Sequence, residues 1–284
     1  MTAAGWVETY RGTVYRWELD HNDHFTVAYY FQRFGDAAQA LLAALGLAPG
    51  RVRSASLFVR YISEFHAGGL LHIDSGVIDV RDDGFVAGHT LFDSESGAVA
   101  TTVEHRFVVH GGGLTAAERR NLEARRVAWD AAPCERRPPP VALDGFRDSA
   151  RDVIKPAELD GAGHVGLAAY IHRFSAANGH AIAAFGMTAG YMQREHRGFS
   201  TFEFQFALTG AALAAGDMVR VRSALLHVGS SSMRIQHRMT NERTGQEVAT
   251  LEQFGVHLDM DARKSTPLPD AIRAQALAVL VPTT

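Results

Sequence analysis

The chain is almost without cysteine: among its 284 residues only Cys134 carries a thiol. A single thiol cannot close an intrachain disulfide, and a centre built on several thiolates is excluded with it. Lysine is nearly as scarce, with Lys155 and Lys264 the only two, so arginine carries the basic charge. A dominant sign of charge is missing as well. The formal net charge of −3 gives no electrostatic reason to expect nucleic acid or an anionic membrane as partner. No apolar run approaches the roughly 18–20 residues that a membrane-spanning helix needs. The opening MTAAGWVETYRG lacks a basic segment running into an apolar one, so no secretory signal is expected and the expected location is cytoplasmic. What is present is 46% hydrophobic and 21% charged residues, the balance of a globular chain with a real core.

The main positive feature is a repeat. Shifting the sequence by 140 positions lays Glu18, Leu19, Asp20, His24, Ala28, Tyr30, Arg33 and Phe34 on Glu158, Leu159, Asp160, His164, Ala168, Tyr170, Arg173 and Phe174. The match continues through Gly46 and Gly186, and SGAVATTVEH resembles TGQEVATLEQ further on. A period this long means a duplicated domain rather than a solenoid.

Each half reads in the same order. A short strand (9–19; 152–159) leads to a polar knot, then to a helix with apolar residues at three- and four-residue spacing. In the first half four strands follow, near 56–65, 71–81, 84–94 and 98–110, separated by the hairpin turns RDDG and SESG. One helix and a run of antiparallel strands is α+β. The expected boundaries are 1–112 and 148–259 for the two domains. Between them, 113–147 holds an arginine-rich helix opened by the capping-box pattern Thr115–Glu118 and reaching about Asp130, then a proline-rich linker. A tail helix is expected within 260–284, with Pro269 near its start.

The knot, Asp20-His21-Asn22-Asp23-His24, admits two readings. Asp and Asn before a helix are ordinary caps for backbone N–H groups. Alternatively, the helix start, with its half-positive dipole and spare donors at Val27 and Ala28, holds the oxyanion of an attacked carbonyl. Asp20, Asn22 and His24 then supply a base, a polar orienter and a second titratable group.

D-x-N-x-H, the aromatic strand before it and YYFQRFGDA after it resemble the hotdog-fold thioesterases, of the hydroxybenzoyl-CoA and acyl-ACP thioesterase kind. The resemblance covers both halves. It implies two hotdog domains in one chain, each a long central helix wrapped by an antiparallel sheet, paired as a pseudo-dimer, with further homo-oligomerisation open. It also implies acyl-CoA hydrolysis without cofactor or metal. Asp20, Asn22 and His24 fall on the family's motif residues. Glu64, at the end of RYISEFHAGG, is a second carboxylate, and Tyr30 with Val27 and Ala28 borders the substrate. In the second half Asn22 becomes Ala162, and a neutral residue such as Leu208 replaces Glu64. Asp160 and His164 therefore mark a degenerate site. The alternatives are a MaoC-type enoyl-CoA hydratase, whose aspartate and histidine are spaced one residue wider, and a non-catalytic acyl-CoA-binding hotdog. Trp17, Tyr29 and Tyr30 are weighed as an aromatic cage for a trimethylammonium group. The arginines of ERRNLEARR are weighed as partners for a CoA phosphate.

Overall fold

The computed structural model describes residues 5–48, 50–111, 113–131, 137 and 144–281. The chain forms two compact units, Met1–Glu135 with Asp160–Ala168, and Arg136–Leu159 with Ala169–Thr284. Cys134 and most of the proline-rich linker lie outside the described residues.

In the first unit β1 (Val7–Thr13) is followed by a short 3-10 turn (Arg16–Glu18), the knot, and α1 (Val27–Ala44). Then come β2 (Val52–Tyr61), β3 (Leu70–Arg81), β4 (Gly84–Asp93), β5 (Val99–Val109) and α2 (Ala116–Ala124). The strands pair antiparallel in the order β1-β3-β4-β5-β2. Along β5 the residues Thr101, Val103, His105 and Phe107 are all buried, the alternation that puts one face of a strand on the core. On α1, Phe31, Phe34, Ala38, Leu41 and Leu45 are buried at helical spacing. Gly46 ends that helix at φ +69°, and the N–H of Leu47 returns to the Leu42 carbonyl at 3.0 Å, a Schellman closure that needs a left-handed residue.

The second unit repeats the plan. β6 (Arg147–Val153) leads through a 3-10 turn (Pro156–Glu158) to α3 (Leu167–Ala183), followed by a short α4 (Ala189–Glu195). Strands β7 (Arg197–Leu208), β8 (Met218–Val228), β9 (Ser232–Asn241) and β10 (Glu247–Asp259) come next, then β11 (Lys264–Ser265) and α5 (Asp270–Ala278). The order is β6-β8-β9-β10-β7, and β11 pairs β10.

Both lead strands begin and end earlier than the sequence suggests. The 3-10 turns replace their last residues because a glutamate pulls the chain inward. Glu18 accepts the Tyr15 N–H at 3.0 Å and pairs with Arg33 at 2.5 Å, both side chains buried. Glu158 does the same with the Lys155 N–H at 2.8 Å and Arg173 at 2.8 Å. The recurring Glu and Arg are thus a structural clamp between each helix and the segment entering its knot.

α2 is shorter than expected, ending at Ala124 although its capping box is present. β1 pairs with β3 no further than Val7–Ser75, and the exposed edge beyond is taken by a parallel bridge from Arg126 to Val77. The second unit copies this. β6 stops at Arg147–Ser223, and Leu280, after α5, bridges Leu225. The helix following each sheet is therefore part of the repeat rather than a linker or tail.

Beneath each helix a chain of polar side chains crosses the sheet. Thr9 donates its hydroxyl to the Ile73 carbonyl at 3.1 Å, which leaves its oxygen to accept from Ser75 at 2.7 Å. Ser75 then accepts from His89 Nδ1 at 2.6 Å, His89 Nε2 faces His105 Nδ1 at 3.4 Å, and His105 Nε2 accepts from Ser54 at 2.8 Å. With that direction, one proton on each imidazole satisfies every step of the chain. Burial agrees, holding His89 down to about 3 and His105 well below the usual histidine range. The second unit has Ser149, Ser223 and His237 in the same places, at 2.6 Å per step, with Gln253 and Thr201 completing the line.

Candidate active site

The knot is a closed backbone loop. The Asp20 N–H donates to the His24 carbonyl at 2.8 Å, and Leu19 and Phe25 bridge across its neck. Asp20 Oδ1 accepts the N–H groups of Asn22 at 2.8 Å and His24 at 3.1 Å. Asp23 sits at φ +57°, a left-handed conformation that Asp tolerates better than most residues. One oxygen of Asp20 thus holds the loop, as the capping reading expects. Its Oδ2 and the Asn22 carboxamide make no hydrogen bond among the described residues.

His24 is buried, and its Nε2 lies 3.4 Å from Glu64 Oε2, on a side chain about one-third exposed. The Phe25 N–H donates to the Phe65 carbonyl at 2.9 Å, so the segment carrying Glu64 is tied to the end of the knot. His66, which the sequence left unassigned to the site, packs edge-on against His24 and meets the Asp23 carbonyl at 2.9 Å.

The start of α1 lacks a side-chain cap, as does that of α5. Thr115 and Thr188 cap α2 and α4 with their hydroxyls. Thr26, at the same position before α1, makes no side-chain cap. Among the described residues the N–H groups of Val27 and Ala28 find no acceptor, and Ala28 is wholly buried. A buried amide without a partner costs about 1–3 kcal/mol, which a ligand oxygen would recover.

Tyr30 is placed in the core, with rings of Phe25, Tyr61 and Phe65 around it, and burial pushes its phenol up. It can form only the floor of a substrate site. The trimethylammonium cage is not assembled: Trp17 is 71% exposed and stacks on Tyr15 at 4.4 Å, while Tyr30 is buried. Three of the four arginines of ERRNLEARR are engaged at home, Arg126 with Glu123 at 3.4 Å. Arg119 holds Asp82 at 3.0 Å, and Arg125 caps the end of α1 through the Ala44 carbonyl at 2.7 Å.

The second knot has the same backbone and different side chains. Asp160 Oδ1 accepts the N–H groups of Ala162 and His164, both at 2.9 Å. Gly163, at φ +81°, stands where the first knot strains Asp23. His164 is exposed and leans only toward Asp160, at 3.7 Å. The Thr209 N–H meets the Val248 carbonyl as the Ile62 N–H meets that of Ala100. That register puts Ala211, not Leu208, at the place of Glu64.

The comparisons agree with the repeat. Three solved structures resemble the whole chain at 11% identity. A Lactobacillus plantarum protein assigned as an oleoyl thioesterase has a TM-score of 0.70, covering 94% of this chain and 98% of its own. An acyl-ACP thioesterase from Bacteroides thetaiotaomicron scores 0.67, covering 88% and 98%. The 12:0-ACP thioesterase from Umbellularia californica scores 0.67, covering 89% and 94%. At such identity these likenesses speak for the double-hotdog fold. No curated protein sequence matches the chain. The thioesterase-like superfamily model matches twice, over residues 14–129 and 154–276; the chain belongs to that superfamily and carries its domain in duplicate.

Proposed function

We propose that the Asp20 site hydrolyses an acyl thioester, with CoA as the acyl carrier. The substrate carbonyl oxygen accepts the two spare N–H groups of Val27 and Ala28, where developing negative charge is stabilised by about 2.7–4 kcal/mol per donor. The spare Oδ2 of Asp20 takes the proton of an attacking water, so that the acid forms directly, or attacks the carbon itself. The second route leaves an acyl-aspartyl anhydride that a water then hydrolyses to the acid and the free carboxylate. Either way the C–S bond breaks and the thiolate leaves as CoA. Asn22 orients the attacking group. His24, steered by Glu64, returns a proton to the leaving sulfur. The reading includes the expected pairing of the two domains and a structural, degenerate role for Asp160 and His164.

The carrying observation is the uncapped helix start with one wholly buried amide, in a segment whose knot leaves one oxygen of Asp20 without a hydrogen bond among the described residues. Free-thiol release by the purified protein should be measured over a panel of acyl-CoA and acyl-ACP esters. Asp20→Asn keeps the loop acceptor and removes the charge. It should cut the rate by about 10²–10⁴ without lowering the melting temperature. Wild-type turnover in Asp20→Asn sinks the assignment, and turnover confined to acyl-ACP sinks the CoA part. Loss of the double bond of crotonyl-CoA without thiol release would point to a hydratase instead.

A further inference from the structure

The second unit contains a cavity of about 120 Å³ at the C-terminal end of α3, far along the helix from its N-terminus. Its floor is apolar, made by Phe185, Leu225 and Ile235. The hydroxyls of Ser149 and Ser223, the first two members of the polar chain, face it from the sheet.

The first unit is packed differently at the matching place. The repeat aligns Ala181 with Leu41. Leu41 is buried and packs in the cluster that contains Val77 and Ala87, the counterparts of Leu225 and Ile235. Ile235 and Leu225 carry at least the three side-chain carbons that Ala181 lacks, yet the pocket stays open beside Ala181.

The mouth is lined by Arg147, Asp148 and His180. Asp148 is engaged by Arg220 at 3.1 Å and Arg222 at 3.8 Å, whereas Arg147 makes no ion pair among the described residues. The rim thus offers a cation over an apolar hole with two hydroxyls on its wall. An engineered cavity of 150 Å³ takes benzene, so this one holds about five carbons.

We infer that this cavity is a second ligand site, taking the tail of a short aliphatic carboxylate whose head pairs with Arg147. Such acids are the product class of the hydrolysis proposed above, so the site would sense product; only that regulatory sense rests on the proposed function.

Hexanoate is the probe, titrated by calorimetry into the full-length protein, with hexanol and hexyltrimethylammonium as comparisons. Methyl NMR reads which site fills. Hexanoate should bind more tightly than either comparison and shift the methyl resonances of Ile235 and Leu225. Ala181→Leu, which restores the first unit's own packing, should weaken binding at least tenfold. Arg147→Gln should weaken hexanoate several-fold and leave hexanol unchanged, and this surface change tests the idea even if the cavity variant folds poorly. Binding unaffected by both variants, shifts confined to residues near Val27, or no binding of hexanoate at all overturns the inference. None of these readouts involves turnover, so a failed pocket and a failed thioesterase assignment are told apart.

Discussion

The buried histidines predict a loss of stability in mild acid. An unfolded histidine titrates near 6.5, while burial holds His89 and His237 at about 3 in the folded protein. Between these values the unfolded chain binds protons that the native one does not, so stability falls as pH falls. At pH 5 each neutral imidazole costs about 2 kcal/mol relative to an exposed one, against ~0.2 at pH 7. His89 and His237 together therefore remove about 4 kcal/mol over that interval, and His105, also held well down, adds a share of the same sign. Carboxylates depressed by partners, such as Glu118 at about 2, titrate below this window and do not mask it. The perturbation to make is His105→Gln, since the second unit already places Gln253 at that station. Urea unfolding followed by tryptophan fluorescence at pH 7, 6 and 5 reads the result. The wild type should lose stability steeply, and the variant should lose less, because one buried imidazole no longer resists protonation. A pH-independent midpoint, or equal losses in both proteins, refutes the neutral-chain reasoning.

Other predictions follow from the site and its clamp. Val27 is the first residue of α1, where proline is welcome, and Thr26 before it is already extended at ψ 134°, as a pre-proline residue must be. Val27→Pro should delete one donor and lower kcat by about 10²–10³ with helix content unchanged by circular dichroism; an unaffected rate removes that amide from the oxyanion site. Arg33→Met strands the buried Glu18 carboxylate and should destabilise by about 3–5 kcal/mol in chemical denaturation, whereas pairing it with Glu18→Leu should restore most of that; a mild single-variant effect denies the clamp. Glu64→Gln should slow turnover and alter its pH profile more than its KM, because Glu64 acts through His24; a change in KM alone would make it a binding residue. Single-turnover hydrolysis in ¹⁸O-water, with mass analysis of the peptide containing Asp20, distinguishes carboxylate attack, which labels the aspartate, from water activation, which does not.

Much of the fold was legible because helical and strand periodicities are local. α1, the hairpins and the duplication all show in the residue pattern, and Gly46 marks the helix end by a conformation few other residues adopt. The 3-10 turns after β1 and β6 were not legible, since they depend on Glu18 and Glu158 reaching arginines 15 residues away. Likewise the edge-filling bridges of Arg126 and Leu280 are decided by where β1 and β6 run out, which only the assembled sheet determines. The polar chains hid for a different reason. A buried histidine among valines and phenylalanines looks like an interruption of the inward pattern, and its partners are scattered over five strands. In the knot, the residue types and their nearness were readable. That Asp20 spends only one of its oxygens on the loop, and that Thr26 makes no side-chain cap, were not.

The two knots also separate what the repeat keeps for folding from what it keeps for chemistry. Glu, Arg and Asp recur in both, and in both they do the same mechanical work: the clamp to the helix and the acceptor inside the loop. Recurrence alone would therefore have favoured the residues with the least specific roles. The first unit differs where a reaction would ask for it. The earlier knot has a carboxamide where the later one has Ala162, a buried histidine where the later turns one to solvent, and a strained aspartate where the later relaxes to Gly163, and Glu64 stands where the second repeat has Ala211. Of these differences the left-handed Asp23 carries a visible backbone cost that Gly163 avoids. Combining Ala162→Asn with Ala211→Glu would give the second repeat the polar residues its sequence lacks. His164, still open to water, would remain the deficit, so that double variant should not gain measurable turnover in an Asp20→Asn background. If it does, burial of the histidine is not what separates the two sites.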